Sequence, residues 1–368
     1  MAGFPFMRQA EAFRSSLPFI LLLAVFILPC PMSAAAKPRP AIAFVHLLLP
    51  PGGEPHASPA GWSGSLARAR DTLESLRIPT IVSSASPGNA EDLNELSEMD
   101  PEVLITTSPL LYAAACDVAK RSPNTVFFAC TDETVHDNMS GFQARTYEAH
   151  YLAGLIAGAL SEDGVIGYLA NDPYQSKASR LRNANAFTLG AQKSKAAIRV
   201  LYAPGNDPDE ELKTLIAAGA DIVDLERALP SLVERLREHS VRYVGTAGRT
   251  VDPLCLAAPE WEWSNAFGDL LTQVRFGIWR PRNVSYGIKE GVVGLSPFGP
   301  AVPETVRVRV REAKEAIRNG ASPFEGPVRD VSGSLRIAEG SVPDDATLRG
   351  MDWRVQGLEP LPLTPDGL

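Results

Sequence analysis

Short apolar runs rich in Val, Ile and Leu alternate along most of this chain with longer stretches whose apolar residues recur every three to four positions. Ala41–Leu48 reads as a buried strand, Trp62–Leu76 as a helix, Thr80–Ser83 as a strand and Glu91–Glu98 as a helix. Val103–Thr107 is then a strand, Leu110–Lys120 a helix and Thr125–Ala129 a strand. A second series follows: helix Tyr147–Leu160, strand Val165–Leu169, helix Arg180–Lys193, strand Ile198–Tyr202, helix Glu210–Ala218, strand Asp221–Leu225, helix Leu229–His239 and strand Val241–Thr246. Strands that alternate with helices in this way build parallel sheets covered on both faces, so the pattern predicts two successive doubly wound α/β units. Asn138–Thr146 is expected to be the first crossing between them. From Pro323 onward, Gly, Pro and Asp break the rhythm, and this tail is expected to pack on a lobe and not to form a third domain.

The 368 residues, 45% hydrophobic, are enough for two lobes. The expected division is 37–138 plus 249–284 for the first lobe and 139–248 plus 285–368 for the second. Residues 1–36 read as a signal peptide: Arg8 and Arg14 precede the apolar run Leu17–Leu28, and Ala34, Ala35 and Ala36 offer a cleavage site. Cys30, flanked by Pro29 and Pro31, leaves a lipid anchor as the less favoured alternative. The product is therefore expected to be exported and periplasmic or otherwise extracytoplasmic. A net charge of -8 offers no basic field for phosphate, so no nucleic-acid partner is expected.

Catalytic and cofactor motifs do not emerge. Neither GxGxxG nor GxxxxGK[ST] follows a predicted strand, no GxSxG elbow occurs, and the five histidines lack metal-ligand spacing, so neither enzyme activity, cofactor nor metal is expected. Cys116, Cys130 and Cys255 lie outside any CxxC pair; the first two read as buried structural residues, with a crosslink between them left open.

Parallel sheets bind ligands beyond the carboxyl ends of their strands, which directs attention to the loops Pro50–Gly61, Ser108–Leu110, Thr131–His136, Asn171–Ser176 and Thr246–Asp252. Trp62 opens a helix after the first strand, and Trp261 and Trp263 open another after the strand at Cys255, so each could offer an aromatic face to a planar ligand or serve as a core anchor. Trp62, Thr131, Asp132, Tyr174, Trp261, Trp263 and Phe298 are the candidate ligand contacts.

Several segments resemble the basic membrane protein family of substrate-binding proteins. They are Arg145-Thr-Tyr147-Glu148-Ala-His-Tyr151 through Gly154, Ile166-Gly167-Tyr168, Gly291 through Pro303 with Pro297-Phe298-Gly299-Pro300, Pro323-Phe324-Glu-Gly326-Pro327 and Met351-Asp352-Trp353. Gly61-Trp62 and Trp261-Glu262-Trp263 resemble two further family segments, and the likeness covers most of residues 41–358. It implies a type I periplasmic-binding fold, with two Rossmann-like lobes joined by a three-stranded hinge that includes Arg145, Tyr147 and Glu148. It also implies a purine nucleobase or nucleoside as ligand, an ABC permease in the membrane as partner, and closure of the lobes on the ligand. A ligand-sensing or scaffolding protein working with a membrane kinase or cyclase is the alternative. Two acidic residues usual in the family have no counterpart here, where the chain reads Ser58-Pro59-Ala60 and Thr246-Ala247-Gly248-Arg249, which leaves a ribose without those anchors.

Overall fold

The computed structural model describes residues 40–47, 62–131, 133, 136–173, 175–245 and 252–362, apart from the side chain at position 63. The predicted α/β rhythm holds through its first part: β1 (Ile42–Leu47), α1 (Trp62–Ser75), β2 (Thr80–Ala85), α2 (Glu91–Ser97), β3 (Val103–Thr106), α3 (Tyr112–Ala119) and β4 (Val126–Cys130). Next come β5 (Met139–Ala144), α4 (Thr146–Leu160), β6 (Val165–Leu169), α5 (Lys177–Ser194), β7 (Arg199–Ala203), α6 (Pro208–Ala217), β8 (Ile222–Leu225), α7 (Pro230–Glu238) and β9 (Arg242–Gly245). The remainder is β10 (Cys255–Ala257), β11 (Pro259–Trp261), α8 (Ser264–Arg275), β12 (Asn283–Tyr286), β13 (Val293–Leu295), α9 (Glu304–Arg318), β14 (Val328–Arg329), β15 (Leu335–Ile337), α10 (Asp345–Arg349) and β16 (Leu358–Pro360).

Local chemistry accounts for where the elements start. Asp207 and Ser176 cap α6 and α5 through side-chain oxygens that accept from the Glu210 and Ser179 amides, and prolines occupy the first turns of α6 and α7, where no amide partner is needed. The strands alternate in register with the two helical layers. In β8, Ile222 and Asp224 face one layer while Val223 and Leu225 face the other, and all four are buried.

Two six-stranded parallel sheets result, with the orders β12-β5-β4-β3-β1-β2 and β10-β9-β8-β6-β7-β16. The pairings move the expected lobe boundaries. Met139–Ala144 is not a crossing but a strand of the first sheet, paired with Phe127–Cys130, and Cys255–Ala257 joins the second sheet beside β9. Asn283–Tyr286 returns to the first sheet beside β5. The chain therefore passes between the sheets after Ala144, between β10 and α8, and after Tyr286. A short antiparallel ribbon of β11 and β13 lies across the second and third passages. The tail packs on the second lobe as expected, and β16 becomes an edge strand against β7. Cys116 and Cys130 are buried, and no disulfide joins Cys116, Cys130 and Cys255 to one another.

Helix α4 follows the first passage and is buried along most of its length. It lies against α5 at a distance that only glycine permits: a Cβ on Gly154 would collide with the Phe187 carbonyl, on Gly158 with the Ala191 carbonyl, and on Gly190 with the Tyr151 carbonyl. Gly268 on α8 has only the far end of Leu73 at van der Waals distance. Gly158→Ala should therefore lower unfolding free energy by about 1–3 kcal/mol despite the higher helix propensity of alanine. Gly268→Ala should raise it by about 0.4–1 kcal/mol. Urea titration of both variants checks the contrast; a stabilised Gly158→Ala would mean that the two helices have room to separate.

Candidate functional site

In each sheet the strand order reverses once, between β1 and β3 in the first and between β6 and β8 in the second. The loops at such a reversal leave to opposite faces and open a crevice beyond the carboxyl ends of the two strands. These two switch points are the corresponding places of the two lobes, and the side chains around them define the candidate site.

At the first switch point the Trp62 Nε1–H donates to the Thr107 carbonyl at 2.8 Å, and His46 Nδ1 lies 3.3 Å from Thr107 Oγ1. The start of α1 is thereby tied to the end of β3 beside the end of β1. The Trp62 ring is half-buried, stacked over Phe142 at 6.4 Å between centroids, with Trp263 at 5.1 Å and Trp261 at 5.8 Å meeting it edge-on. Trp62 is therefore enclosed on part of its surface only.

Trp263 is 0% exposed, stacks on Phe267 and is crossed by Phe142 and Tyr286, so the aromatic core encloses its ring and leaves no face for a ligand. Its indole nitrogen is buried without a hydrogen-bond partner. Trp261 is also buried; it lies on β11, not at a helix start, and its Nε1–H donates to Thr146 Oγ1 at 3.3 Å across the first passage. The strand at Cys255 runs in the second sheet, so these two tryptophans do not rise from the mouth of the sheet that carries Trp62. Both are anchors of the waist.

Thr131 sits at the end of β4, 3% exposed, with its hydroxyl accepting from the Glu133 amide at 3.0 Å, a local turn contact. Phe298 is half-buried on the loop after β13, with the Arg307 guanidinium 5.9 Å from its ring centroid. Asp132 and Tyr174 lie outside the described residues.

The three residues expected at the hinge lie at and just after the first passage between the sheets. Arg145 donates through Nε and Nη2 to Asp345 at 2.9–3.3 Å, and its amide bonds to the Tyr286 carbonyl at 2.7 Å, joining the first and third passages. Glu148 Oε2 accepts from the Ile288 amide at 2.6 Å, and a Cβ on Gly287 would fall on that carboxylate. Tyr147 packs on Phe324, with the Arg182 guanidinium over its ring.

Around the second switch point lies a buried polar group that the sequence reading passed over. His150 of α4 holds Asp224 Oδ2 at 3.2 Å, and the Tyr168 hydroxyl donates to Glu226 Oε1 at 2.9 Å. Asn171 closes the neighbouring loop by bonding both to the Arg227 carbonyl and from the Arg227 amide, each at 2.8 Å. A signal was present: in Ile222-Val-Asp224-Leu-Glu226, two carboxylates share the inward face of an otherwise apolar strand, where an isolated charge would be costly.

Burial pushes the Glu148 carboxyl up to about 7 against the pull of the Ile288 amide and Arg145. Burial also pushes Glu226 up to about 7, opposed by His150 and the Tyr168 hydroxyl and assisted by Asp172 and Asp224. Burial pulls the His150 imidazole down, but Asp224 and Glu226 outweigh it and leave His150 above its ordinary value. Asp345 is held below the usual carboxylate range, because Arg145 overcomes its burial.

Residues 62–217 match the family described as ABC transporter substrate-binding protein PnrA-like. The purine-binding protein BAB2_0673 of Brucella abortus is 28% identical over 344 residues, which cover 89% of this chain and 95% of that protein. A putative ABC transporter glucose-binding protein, TsgA13 of Haloferax volcanii, is 28% identical over 77% of this chain and 78% of its own. Among solved structures, a solute-binding protein of an ABC transporter system from Conexibacter woesei shares the fold, with a TM-score of 0.61 at 18% identity over 76% of this chain and 97% of that one.

Two predictions follow from these surroundings. Trp263→Ala should cost about 3–5 kcal/mol of stability without any ligand, as loss of an enclosed aromatic does; a melt of the ligand-free variant that matches the parent would place the ring outside the core. The second concerns pH. A carboxyl raised on folding binds its proton more tightly in the folded chain, so its contribution is present below the ordinary value and lost as pH climbs through about 7; a raised histidine has the same sign. Asp345, lowered on folding, loses its contribution only as pH falls through its depressed value. Melting temperature should therefore peak in mildly acidic buffer and fall between about pH 5 and pH 8, with Glu148 alone accounting for about 3 kcal/mol. Glu148→Gln should flatten the slope, and a melting temperature that rises across that interval would contradict the assignment.

The match over residues 62–217, the two relatives that align over most of its length and the two-sheet fold make the chain similar to substrate-binding proteins of the Bmp family.

Proposed function

We propose that this protein is the extracytoplasmic receptor of an ABC importer, taking a planar nitrogenous solute of the purine type into the crevice between its two switch points. The observation that carries the reading is Trp62: an aromatic side chain fixed by its own indole N–H to the end of β3, half-buried and standing at the strand reversal of the first lobe. A ring held in that way can stack on a flat solute without losing further side-chain freedom. The purine-binding name of the Brucella abortus relative supports the same class.

Receptor action follows from the passages between the lobes. Three stretches of chain join the sheets, and Arg145, Glu148 and the β11–β13 ribbon tie these stretches to one another, so rotation of one lobe against the other has to bend all three together. A solute that touches both switch points favours the closed arrangement by its extra contacts there, and a permease can distinguish closed from open by shape. Tyr147 and Glu148 set hinge geometry and do not touch the solute. No helix among the described residues is long and apolar enough to cross a membrane.

A thermal-shift series with nucleobases, nucleosides and aromatic solutes tests the reading, because a ligand that binds only the folded state raises the melting temperature. A free base is expected to give the largest shift. Trp62→Ala should weaken binding by about 1–3 kcal/mol, the range for a base stacked on an aromatic side chain, or roughly 5- to 150-fold. Unchanged affinity together with a large loss of ligand-free stability would make Trp62 a core residue only.

A further inference from the structure

We propose that Glu226, positioned by Tyr168 at the switch point of the second sheet, is the specificity-determining acceptor for an N–H group of the bound solute. This assignment rests on the purine-type reading above and adds what that reading lacks, a polar partner in the second lobe facing the aromatic one in the first.

Topology comes first. Glu226 is the first residue after β8, and its amide bonds to the Leu169 carbonyl at the end of β6, so its backbone is fixed to both strands of the reversal. Trp62 is fixed in the matching place of the other sheet, at the ends of β1 and β3. A solute lying in the crevice with its ring on Trp62 presents its edge, where the N–H groups are, toward the second lobe.

Chemistry comes next. Glu226 is only 8% exposed, its Oε2 is buried, and Oε1 is fixed by the Tyr168 hydroxyl at 2.9 Å. Tyr168 is itself immobile, 0% exposed and packed against Phe187, Tyr202 and the His150 ring. A carboxylate held in that way loses little freedom on binding, and a hydrogen bond to an ionised group outweighs a neutral one. The solute would replace water at the rim of a site already largely dry, where each polar contact counts for more. Burial and the neighbouring charges also leave Glu226 with both protonation forms present near neutrality, so it can meet an edge where an N–H stands beside an unprotonated ring nitrogen.

His150 and Asp224 lie deeper than this pair, at 3% and 0% exposed against 8% for Glu226, and bond to each other. Their part is to position the sheet against α4.

The test compares adenine, which carries N–H donors, with 1,3,7-trimethylxanthine, a planar purine that carries none, by calorimetry on the full chain and on Glu226→Gln. The amide keeps the size and an acceptor oxygen but not the charge. The variant should bind adenine about tenfold more weakly, while its affinity for trimethylxanthine stays within twofold of the parent's. Tyr168→Phe, which frees the carboxylate without removing it, should weaken adenine about threefold and serves as the test if Glu226→Gln does not fold. Adenine affinity within twofold of the parent, or an equal loss for both compounds, overturns the assignment while leaving the purine-type reading in place. A parent protein that binds no purine base overturns both.

Discussion

Helix α4 can lie where it does only because Gly154, Gly158 and Gly190 remove the side chains that would keep it from α5. The consequences run the length of the helix. Its first turn carries Tyr147 and Glu148 into the passages between the lobes, its second carries His150 to Asp224 beneath the second sheet, and its later turns form the glycine face. Moving the axis outward by the width of a methyl group would separate the hinge contacts from the polar group under the switch point. Backbone packed on backbone is also stiff.

The aromatic residues divide along the same line. Trp261, Trp263, Phe142 and Phe267 form a waist packed on itself, and Trp62 is the member that reaches from it toward solvent. On the proposed reading, the aromatic stack would sense the flatness of a solute and the ionisable groups of the second lobe its hydrogen-bonding pattern.

Most of the fold was legible in the chain because the period of apolar residues changes at each element and the strands are too apolar to be anything but buried. Predicted and observed ends differ by no more than three residues in either series, and several coincide. What the pattern could not supply was pairing. Met-Ser-Gly-Phe-Gln-Ala at 139–144 lacks the β-branched run of the other strands, and it is a strand because β4 lies on one side and β12, from far along the chain, on the other. The same limit governed the tryptophans: their places in sequence suggested a common mouth, whereas the side of the waist on which each falls is decided by strands remote in sequence. Glu226 was hidden for another reason. A carboxylate at a strand end reads locally as solvated, and only the position of Tyr168 on the neighbouring strand shows that it is held.

Each sheet is completed by a segment from late in the chain: β12 at Asn283–Tyr286 for the first and β16 at Leu358–Pro360 for the second. A polypeptide made from its amino end therefore carries first one and then two unfinished parallel sheets until β12 and β16 are made. Neither lobe corresponds to a continuous stretch that could be cut out and expressed whole, and the pairings that finish them close loops of well over a hundred residues. Such non-local contacts slow folding relative to chain growth. The molecule is in this sense assembled late, and its two lobes mature together.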